Sequence, residues 1–345
     1  MRIVWSQEWP AKKSPGVLAR ATIPGNHTKP YEPTLKETNA CFVLTIGLST
    51  LSSMLPKISI VTPSFNQGGF LEETIASVLD QRYEPLEYLV IDGGSTDDTV
   101  DLIRSYEDEL TYWVSEKDRG QVHAINKGLA KITGDIFGFI NSDDVYLPGT
   151  LSTVGKYFAE HPDCEWLCGD TLMFGEGHAT ELIRAVVPKS AAHCLSWAYK
   201  APQPGHFWRR ELVQKFGFDE KWPYDFDHDM YVRALLAGHS CEYIPLPFAG
   251  YRLHAASKTV AENDRQIAEF ERSAEFYESQ LAGSGRRWCR ATRYLRRSYA
   301  ASAAGNKTEG ARWLMRALTT YPEGLKDRPF WGCLRRLVLD SPGEV

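Results

Sequence analysis

Between Lys57 and Asp144 the chain alternates four times between a short apolar run and an amphipathic segment of helical period. "KISIVTP" reads as a buried strand, and "FLEETIASVLDQ" after it places Leu71, Ile75, Val78 and Leu79 on one helical face. "LEYLVID" is a second strand. "GGSTDDTVDLIRSY" then carries a Ser95-x-x-Asp98 capping pattern ahead of Val100, Ile103 and Tyr106 at helical spacing. "TYWVSE" is a third strand, followed by a helix with Val122, Ile125, Leu129 and Ile132 on one face, and "DIFGFI" is the fourth. Parallel strands need crossovers long enough for a helix, so this alternation predicts an α/β fold with a parallel sheet covered by helices on both faces.

That topology gives the polar clusters their meaning. In open parallel sheets, ligands bind beyond the carboxyl ends of the strands. The clusters at 62–66, 92–95, 116–120 and 141–144 each follow a predicted strand, so they are expected to converge on one rim. The last of them, in "FINSDDVYLPG", sets Asp143 and Asp144 side by side. On the residues alone two readings stay open. The pair could cap a helix over 147–154, or it could seat Mg²⁺ or Mn²⁺, hard cations that take carboxylate and phosphate oxygens.

The remaining polar stretches carry similar pairs of readings. Asp92 is either a turn residue or an acceptor for a base or ribose, and Arg119 in "EKDRGQ" is either surface charge or a phosphate partner. "YDFDHDMYVR" holds Asp225, Asp227 and Asp229 where acids complement a helix dipole or where one of them acts as a general base. "YRLHAASKT" supplies Arg252, His254 and Lys258, a set that could grip a diphosphate or, through His254, a metal.

Composition narrows the function classes. A net charge of −5 argues against a general nucleic-acid binder. The charge is uneven: between Arg286 and Arg336 thirteen Lys/Arg face three acids, a balance of +10 that leaves −15 for the rest. Arg286, Arg287, Arg290, Arg293, Arg296 and Arg297 could dock on anionic lipid or form a helix face packed on the acidic body. Seven scattered cysteines, with only Cys164 and Cys168 close together, predict no zinc site and a reducing cytoplasm. A peripheral position on the inner face of the membrane follows if the basic helix docks there. No apolar run reaches the roughly 18–20 residues of a membrane span.

After residue 150 "CEWLCGDTLMF" suggests strands, "DHDMYVRALLAG" a helix closed by Gly238, and "CEYIPLPFAGYRLH" a strand and a loop. Beyond about residue 258 the pattern is helical. The expected organisation is therefore a poorly ordered extension over 1–54, a catalytic domain over 55–260 and a basic helical region over 261–345. Met54, just ahead of the first strand, is a candidate alternative start.

Taken together, "ISIVTPSFNQGGFLEETIASVLDQ", "LEYLVIDGGSTDDT", "DRGQVHAINKGLAKITGD" and "FINSDDVYLPG" closely resemble the family 2 glycosyltransferases. The resemblance runs from about Lys57 to Thr259 and includes "QPGHFWRR" and "DHDMYVRAL". It implies the GT-A fold, a Rossmann-like, mostly parallel sheet flanked by helices, here with a C-terminal helical extension. It also implies a UDP- or GDP-linked sugar donor, Mg²⁺ or Mn²⁺, and a glycan or lipid-linked acceptor. The implied reaction is transfer with inversion, in cell-surface polysaccharide or glycolipid synthesis.

Carried over by position, Thr62, Pro63 and Asn66 resemble the nucleotide-contacting loop and Asp92 the base- or ribose-binding aspartate. Arg119 stands near the same rim as a phosphate partner. Asn141-Ser142-Asp143 occupies the D-x-D slot, with Asp143 as metal ligand and Asp144 beside it at the rim. Asp227 matches the catalytic base, and Arg252, His254 and Lys258 match a loop that closes over the diphosphate. Three positions depart from the pattern: Asn141 replaces the first Asp, Gly93 replaces a second Asp, and Phe226 replaces an acid before the base. The processive-synthase motif Q-x-x-R-W is absent. A non-catalytic nucleotide-sugar binder and a nucleotidyltransferase are the alternative readings, the latter lacking a Gly-rich, basic loop after the first strand.

Overall fold

The computed structural model describes residues 55–196, 201–326, 331, 334 and 335. The extension expected over 1–54, with Met54, lies outside the described residues, as does part of the basic C-terminal stretch. The four predicted strands form as β1 (Ile58–Ser64), β2 (Leu86–Asp92), β3 (Tyr112–Ser115) and β4 (Ile136–Phe139). Helices α1 (Leu71–Leu79), α2 (Thr99–Ser105) and α3 (Gln121–Leu129) connect them. Then follow β5 (Val145–Tyr146), α4 (Thr150–Glu160), β6 (Trp166–Gly175), β7 (Glu181–Ile183), α5 (Ala191–Cys194), β8 (His206–Arg209), α6 (Arg210–Phe216) and α7 (Phe226–Leu236). The chain continues through β9 (Glu242–Leu253), α8 (Lys258–Ala261), α9 (Asn263–Glu278), α10 (Gly283–Ala303) and α11 (Lys307–Thr320).

The sheet runs β3-β2-β1-β4-β8-β6-β9-β5, with β7 on β6. β3, β2, β1 and β4 are mutually parallel, as are β6 and β9, whereas β8, β5 and β7 pair antiparallel with their neighbours. Register sets the strand ends level: Ser64 lies opposite Asp92, and Asp92 opposite Ser115. The sheet is thus mixed but mostly parallel.

Alternation along each strand feeds two apolar cores, one per face. Val61, Leu89, Ile91, Phe137 and Phe139 pack with α3 and α7, while Ile58, Ile60, Tyr88 and Val90 pack with α1 and α4. The first of these cores crosses the expected boundary at 260/261. Ala274 and Tyr277 of α9, and Cys289 of α10, are buried in the same cluster as Val61 and Phe139. α10 and α11 add a smaller core of Ala291, Leu295, Leu314 and Ala317. No helix among the described residues is long and apolar enough to cross a membrane.

Two local expectations are corrected. Ser95 does not cap α2, which starts at Thr99. Its hydroxyl is held instead by Asp92 Oδ1 at 2.5 Å and accepts from Asn66 N–H at 2.7 Å. Nor do Asp143 and Asp144 cap a helix, because β5 intervenes and α4 begins only at Thr150, behind Gly149. Gly238 does close α7, with φ of +92°, a backbone region that favours glycine.

Candidate functional site

A cleft of about 720 Å³ opens at the carboxyl ends of the parallel strands. β1 contributes Pro63 and Ser64, the β2 end Gly93, the β3 end Lys117 and Asp118, and the β4 end Asn141, Ser142 and Asp143. Asp227, Tyr251 and Lys258 complete the wall with Gln203 and Tyr224. The predicted convergence of four strand ends is therefore present. Of the expected site residues, Pro63, Asn141, Ser142, Asp143, Asp227 and Lys258 face this space.

Others lie behind it. Thr62 is fully buried, and its hydroxyl pairs with Tyr88 Oη at 3.0 Å. Asp92 is also buried, its carboxylate accepting from Gly94 and Ser95 N–H and from the Ser95 and Ser115 hydroxyls. It organises the turn from within. Asn66, at φ +52°, accepts from Thr96 N–H at 2.9 Å and so ties the β1 loop to the β2 loop. Asn tolerates that left-handed conformation better than most residues. Arg119 turns outward: its guanidinium forms a bidentate pair with Glu220, both bonds at 2.8 Å.

Gly93, where the family resemblance implies a second acid, is crowded by the loop after the neighbouring strand β3. A Cβ there would meet Asp118 Oδ2 at 2.9 Å. Asp118, absent from the expected set, thus occupies space that a residue-93 side chain would take.

The Asp143–Asp144 turn is the most interconnected part of the site. Asp143 Oδ2 lies 3.1 Å from His254 Nε2, and the His254 ring rests on Phe70 with centroids 4.4 Å apart. A divalent ion with bonds of about 2.1 Å sets neighbouring ligands about 3 Å apart, so this oxygen and nitrogen could hold one. Asp144 is fully buried, accepting from Arg252 N–H at 2.9 Å and from Asn141 Nδ2 at 3.3 Å. Burial raises its pKa, and the neighbouring Asp143 charge adds to the rise. Arg252 is a brace rather than part of the cleft surface. Its Nε donates to the Asp143 carbonyl at 2.8 Å, its guanidinium pairs with Glu73, and it lies over the Phe70 and Phe174 rings at 5.3 and 4.6 Å. Lys258 Nζ donates to Gln121 Oε1 at 2.8 Å, and Gln121 Nε2 to Asn141 Oδ1 at 2.6 Å.

Asp227 sits in the first turn of α7, where its Oδ1 accepts from His228 N–H at 2.8 Å. Burial raises its pKa, with the Asp225 carboxylate adding to the effect. A carboxylate so placed is a stronger base than a free aspartate. Phe226, where the family resemblance implies an acid, packs 5.9 Å from Phe139 and 5.7 Å from Phe218 and pins this turn to the core. Such pairs contribute about 0.5–1.5 kcal/mol each beyond area burial. Asp229 points away from the site, bonded to Tyr277 and Arg233.

Sequence reading missed Gln121, Gln203, Tyr224 and Phe65. Phe65 lines the cleft yet is 58% exposed, and its signal in the sequence was an aromatic set in the polar stretch "SFNQ" directly after a predicted strand. Gln203, in "QPGHFWRR", donates to the Phe139 carbonyl at 2.9 Å.

Two other clusters bear on earlier expectations. Cys168, His206 and Cys241, distant in sequence, come together with ligand atoms within 4.8 Å of one another. Trp166 Nε1, which can only donate, lies 2.8 Å from His206 Nδ1. The neutral ring therefore carries its proton on Nε2, 3.5 Å from Cys168 Sγ. A metal would need that nitrogen bare, so the cluster reads as a hydrogen-bonded core network. On α10, Arg290, Arg293 and Arg296 pair with Glu271, Glu275 and Glu278 of α9. Arg286 donates to the Leu281 and Ser279 carbonyls, and Arg297 lies over Trp313. Three of the six α10 arginines thus pack on acids of α9 in their own chain.

Comparison with known proteins agrees with this architecture. The sequence profile of "Glycosyl transferase family 2" matches residues 59–178. An uncharacterized glycosyltransferase of Mycobacterium tuberculosis is 32% identical over 196 residues, covering 55% of this chain and 72% of that protein. The putative teichuronic acid biosynthesis glycosyltransferase TuaG of Bacillus subtilis is 32% identical over 130 residues, 37% of this chain and 52% of that one. Among solved structures, S. aureus TarS 1–349 in complex with UDP-GlcNAc superposes with a TM-score of 0.57 at 16% identity, covering 81% of this chain and 88% of that one. The mannosyltransferase PcManGT from Pyrobaculum calidifontis, in complex with GDP-Man and Mn²⁺, gives 0.52 at 18% identity, covering 81% and 84%. With a GT-A-like sheet, four motif-bearing strand ends on one cleft and a relative matched over most of its length, the chain belongs to glycosyltransferase family 2 and is a glycosyltransferase.

Proposed function

We propose that the protein transfers a sugar from a nucleotide-diphosphate donor to an acceptor hydroxyl, with inversion, in the synthesis of a surface polysaccharide or glycolipid. The observation that carries this reading is the shared cleft: Asp227, with its raised pKa, opens onto the same space as Asp143 and the β1–β4 ends. The names of relatives support it. TuaG is assigned to teichuronic acid biosynthesis, TarS holds UDP-GlcNAc, and PcManGT holds GDP-Man with Mn²⁺.

Pro63, Asn141 and Ser142 would face the nucleotide, with Thr62, Asn66, Asp92 and Asp144 shaping the loops from behind. Asp143 and His254 would hold Mg²⁺ or Mn²⁺, which when bound supplies positive charge to the donor diphosphate. Lys258, at the edge of the cleft, would add a second cation for the departing group. Asp227 then accepts the proton of the acceptor hydroxyl as that oxygen bonds to the anomeric carbon. The bond from that carbon to the diphosphate breaks on the opposite side, its electron pair leaving with the nucleoside diphosphate. Attack opposite the leaving group inverts the centre.

A panel of UDP- and GDP-sugars with Mn²⁺ or Mg²⁺, scored by nucleoside diphosphate release with glycan or lipid-linked acceptors, tests the reading. Asp227→Asn should abolish release while calorimetry shows nucleotide binding intact. General-base assistance is typically worth about 10²–10⁴ in rate. Unchanged turnover in this variant would remove Asp227 from the role.

A further inference from the structure

α9 lies beyond the segment matched by the family 2 profile, which ends at residue 178. It nonetheless presents a buried face to α7, the helix that carries Asp227. Glu269, Ser273 and Tyr277, at spacings of four, are all buried. Glu269 is 2% exposed, and its Oε1 accepts from two backbone groups, Tyr224 N–H at 2.7 Å and Asp225 N–H at 3.0 Å. Its other oxygen pairs with Arg272 at 3.2 Å. Phe270 lies against the His228 ring, centroids 4.8 Å apart, and Tyr277 Oη donates to Asp229 at 2.5 Å.

These contacts bracket Asp227, holding 224 and 225 on one side and 228 and 229 on the other. The N-cap residue Asp225 makes no side-chain capping bond of its own. Glu269 brings a carboxylate from another helix to the two N–H groups just ahead of α7, at the helix end where negative charge is favourable. Burying a charged group costs free energy unless it is well bonded, and packing alone would be served as well by an apolar residue.

We infer that α9 is part of the catalytic unit and that Glu269 is a positioning residue, fixing the first turn of α7 so that Asp227 faces the acceptor. The same extension supplies cleft wall: Gln266 lines it, and Tyr224, also lining, donates its hydroxyl to Glu262. The inference rests on Asp227 being the base.

The test compares wild type with Glu269→Ala, Glu269→Gln, Tyr277→Phe and Asp227→Asn. It measures kcat and KM on the donor found active, with UDP or GDP binding stoichiometry giving the folded fraction. Misplacing a reacting group by about 1 Å can cost about 100-fold, so Glu269→Ala should lower kcat by about 10–100-fold with nucleotide affinity unchanged. Glu269→Gln keeps an acceptor oxygen and should restore kcat to within about threefold of wild type. A merely structural role would lower the melting temperature and leave kcat per nucleotide-binding site unchanged, and that result would overturn the proposal. Equal loss in Glu269→Gln and Glu269→Ala would overturn it too. If Glu269→Ala does not fold, Tyr277→Phe carries the test: a several-fold drop in kcat at constant KM supports the proposal, and wild-type kcat refutes it. An active Asp227→Asn would instead sink the base assignment, whereas an inactive one beside normal Glu269 and Tyr277 variants would sink only this inference.

Discussion

Arg252 is where sequence and structure make different claims, and its replacement by alanine separates them. By motif it would grip the donor diphosphate; in the fold it braces the turn that carries Asp143. Its Nε bond to the Asp143 carbonyl, at 2.8 Å, is a charged hydrogen bond of about 1.5–3 kcal/mol. The Phe70 and Phe174 faces, at 5.3 and 4.6 Å, add about 0.5–1 kcal/mol each. The Glu73 partner is 39% exposed, so solvent screening limits that pair to about 0.5 kcal/mol. With its own side chain only 15% exposed, Arg252→Ala should destabilise the fold by about 3–5 kcal/mol. For a chain of this size that lowers the melting temperature by about 5–10 °C. Arg252→Lys keeps the charge but lacks the planar fork and should recover little. Thermal unfolding without nucleotide, paired with calorimetry using UDP or GDP and Mn²⁺, reads both properties. The expected result is a large loss of stability with at most about a tenfold loss of nucleotide affinity, roughly 1.4 kcal/mol. Wild-type stability with an affinity loss beyond about 100-fold would refute the bracing role and restore Arg252 as a direct diphosphate ligand.

Two further outcomes follow from the charges. Burial works against ionisation of Glu87, but bonds from Ser59, Thr133 and Lys57 outweigh it and bring its pKa from 4.5 down to about 2. A depressed carboxylate stabilises above its unfolded pKa and loses that contribution as pH falls through the folded value. Glu87→Gln should therefore cost about 3 kcal/mol at pH 7 and flatten the loss between pH 4.5 and 2 in urea unfolding, whereas parallel pH curves would refute this. The α10 arginines already engage acids and carbonyls of their own chain. Anionic liposomes should accordingly show no salt-sensitive co-sedimentation, and binding that high salt reverses would show that these residues dock on lipid.

The parts of the fold that could be read in advance are those set by local pattern. β1 to β4 are short apolar runs between helices with one apolar stripe, and such segments form the same elements in most contexts. Convergence of their ends follows from parallel topology alone. What escaped reading depends on partners far along the chain. Arg119 turns from the cleft because of Glu220, 101 residues later. Trp166 settles the tautomer of His206 from 40 residues away, and Glu269 reaches back 45 residues to Tyr224. Ser95 matched a capping pattern but was captured by Asp92, since a buried carboxylate at a strand end draws every nearby donor. Spacing rules contain no information on such pairings.

Asn141 shows how a departure from motif can follow from its surroundings. Its amide accepts from Gln121 and donates to Asp144, linking Lys258 through Gln121 to the buried carboxylate. An aspartate at this position could accept but not donate. It would also set another carboxylate about 3.3 Å from Asp144, and like charges that close would drive Asp144 still further toward its protonated form. Asp144 is already pushed toward its protonated form by burial and by Asp143, and its bond to Arg252 N–H helps to fix the loop that carries His254. Once Asp144 is buried for that purpose, an amide at 141 is the group that satisfies both neighbours without adding charge. Negative charge on the cleft wall then falls to Asp118, Asp143 and Asp227. Asp118 stands beside Gly93, a second position where an expected acid is missing. These two of the three departures from motif are therefore local solutions to packing and charge that keep Asp143 on the cleft wall with His254 beside it.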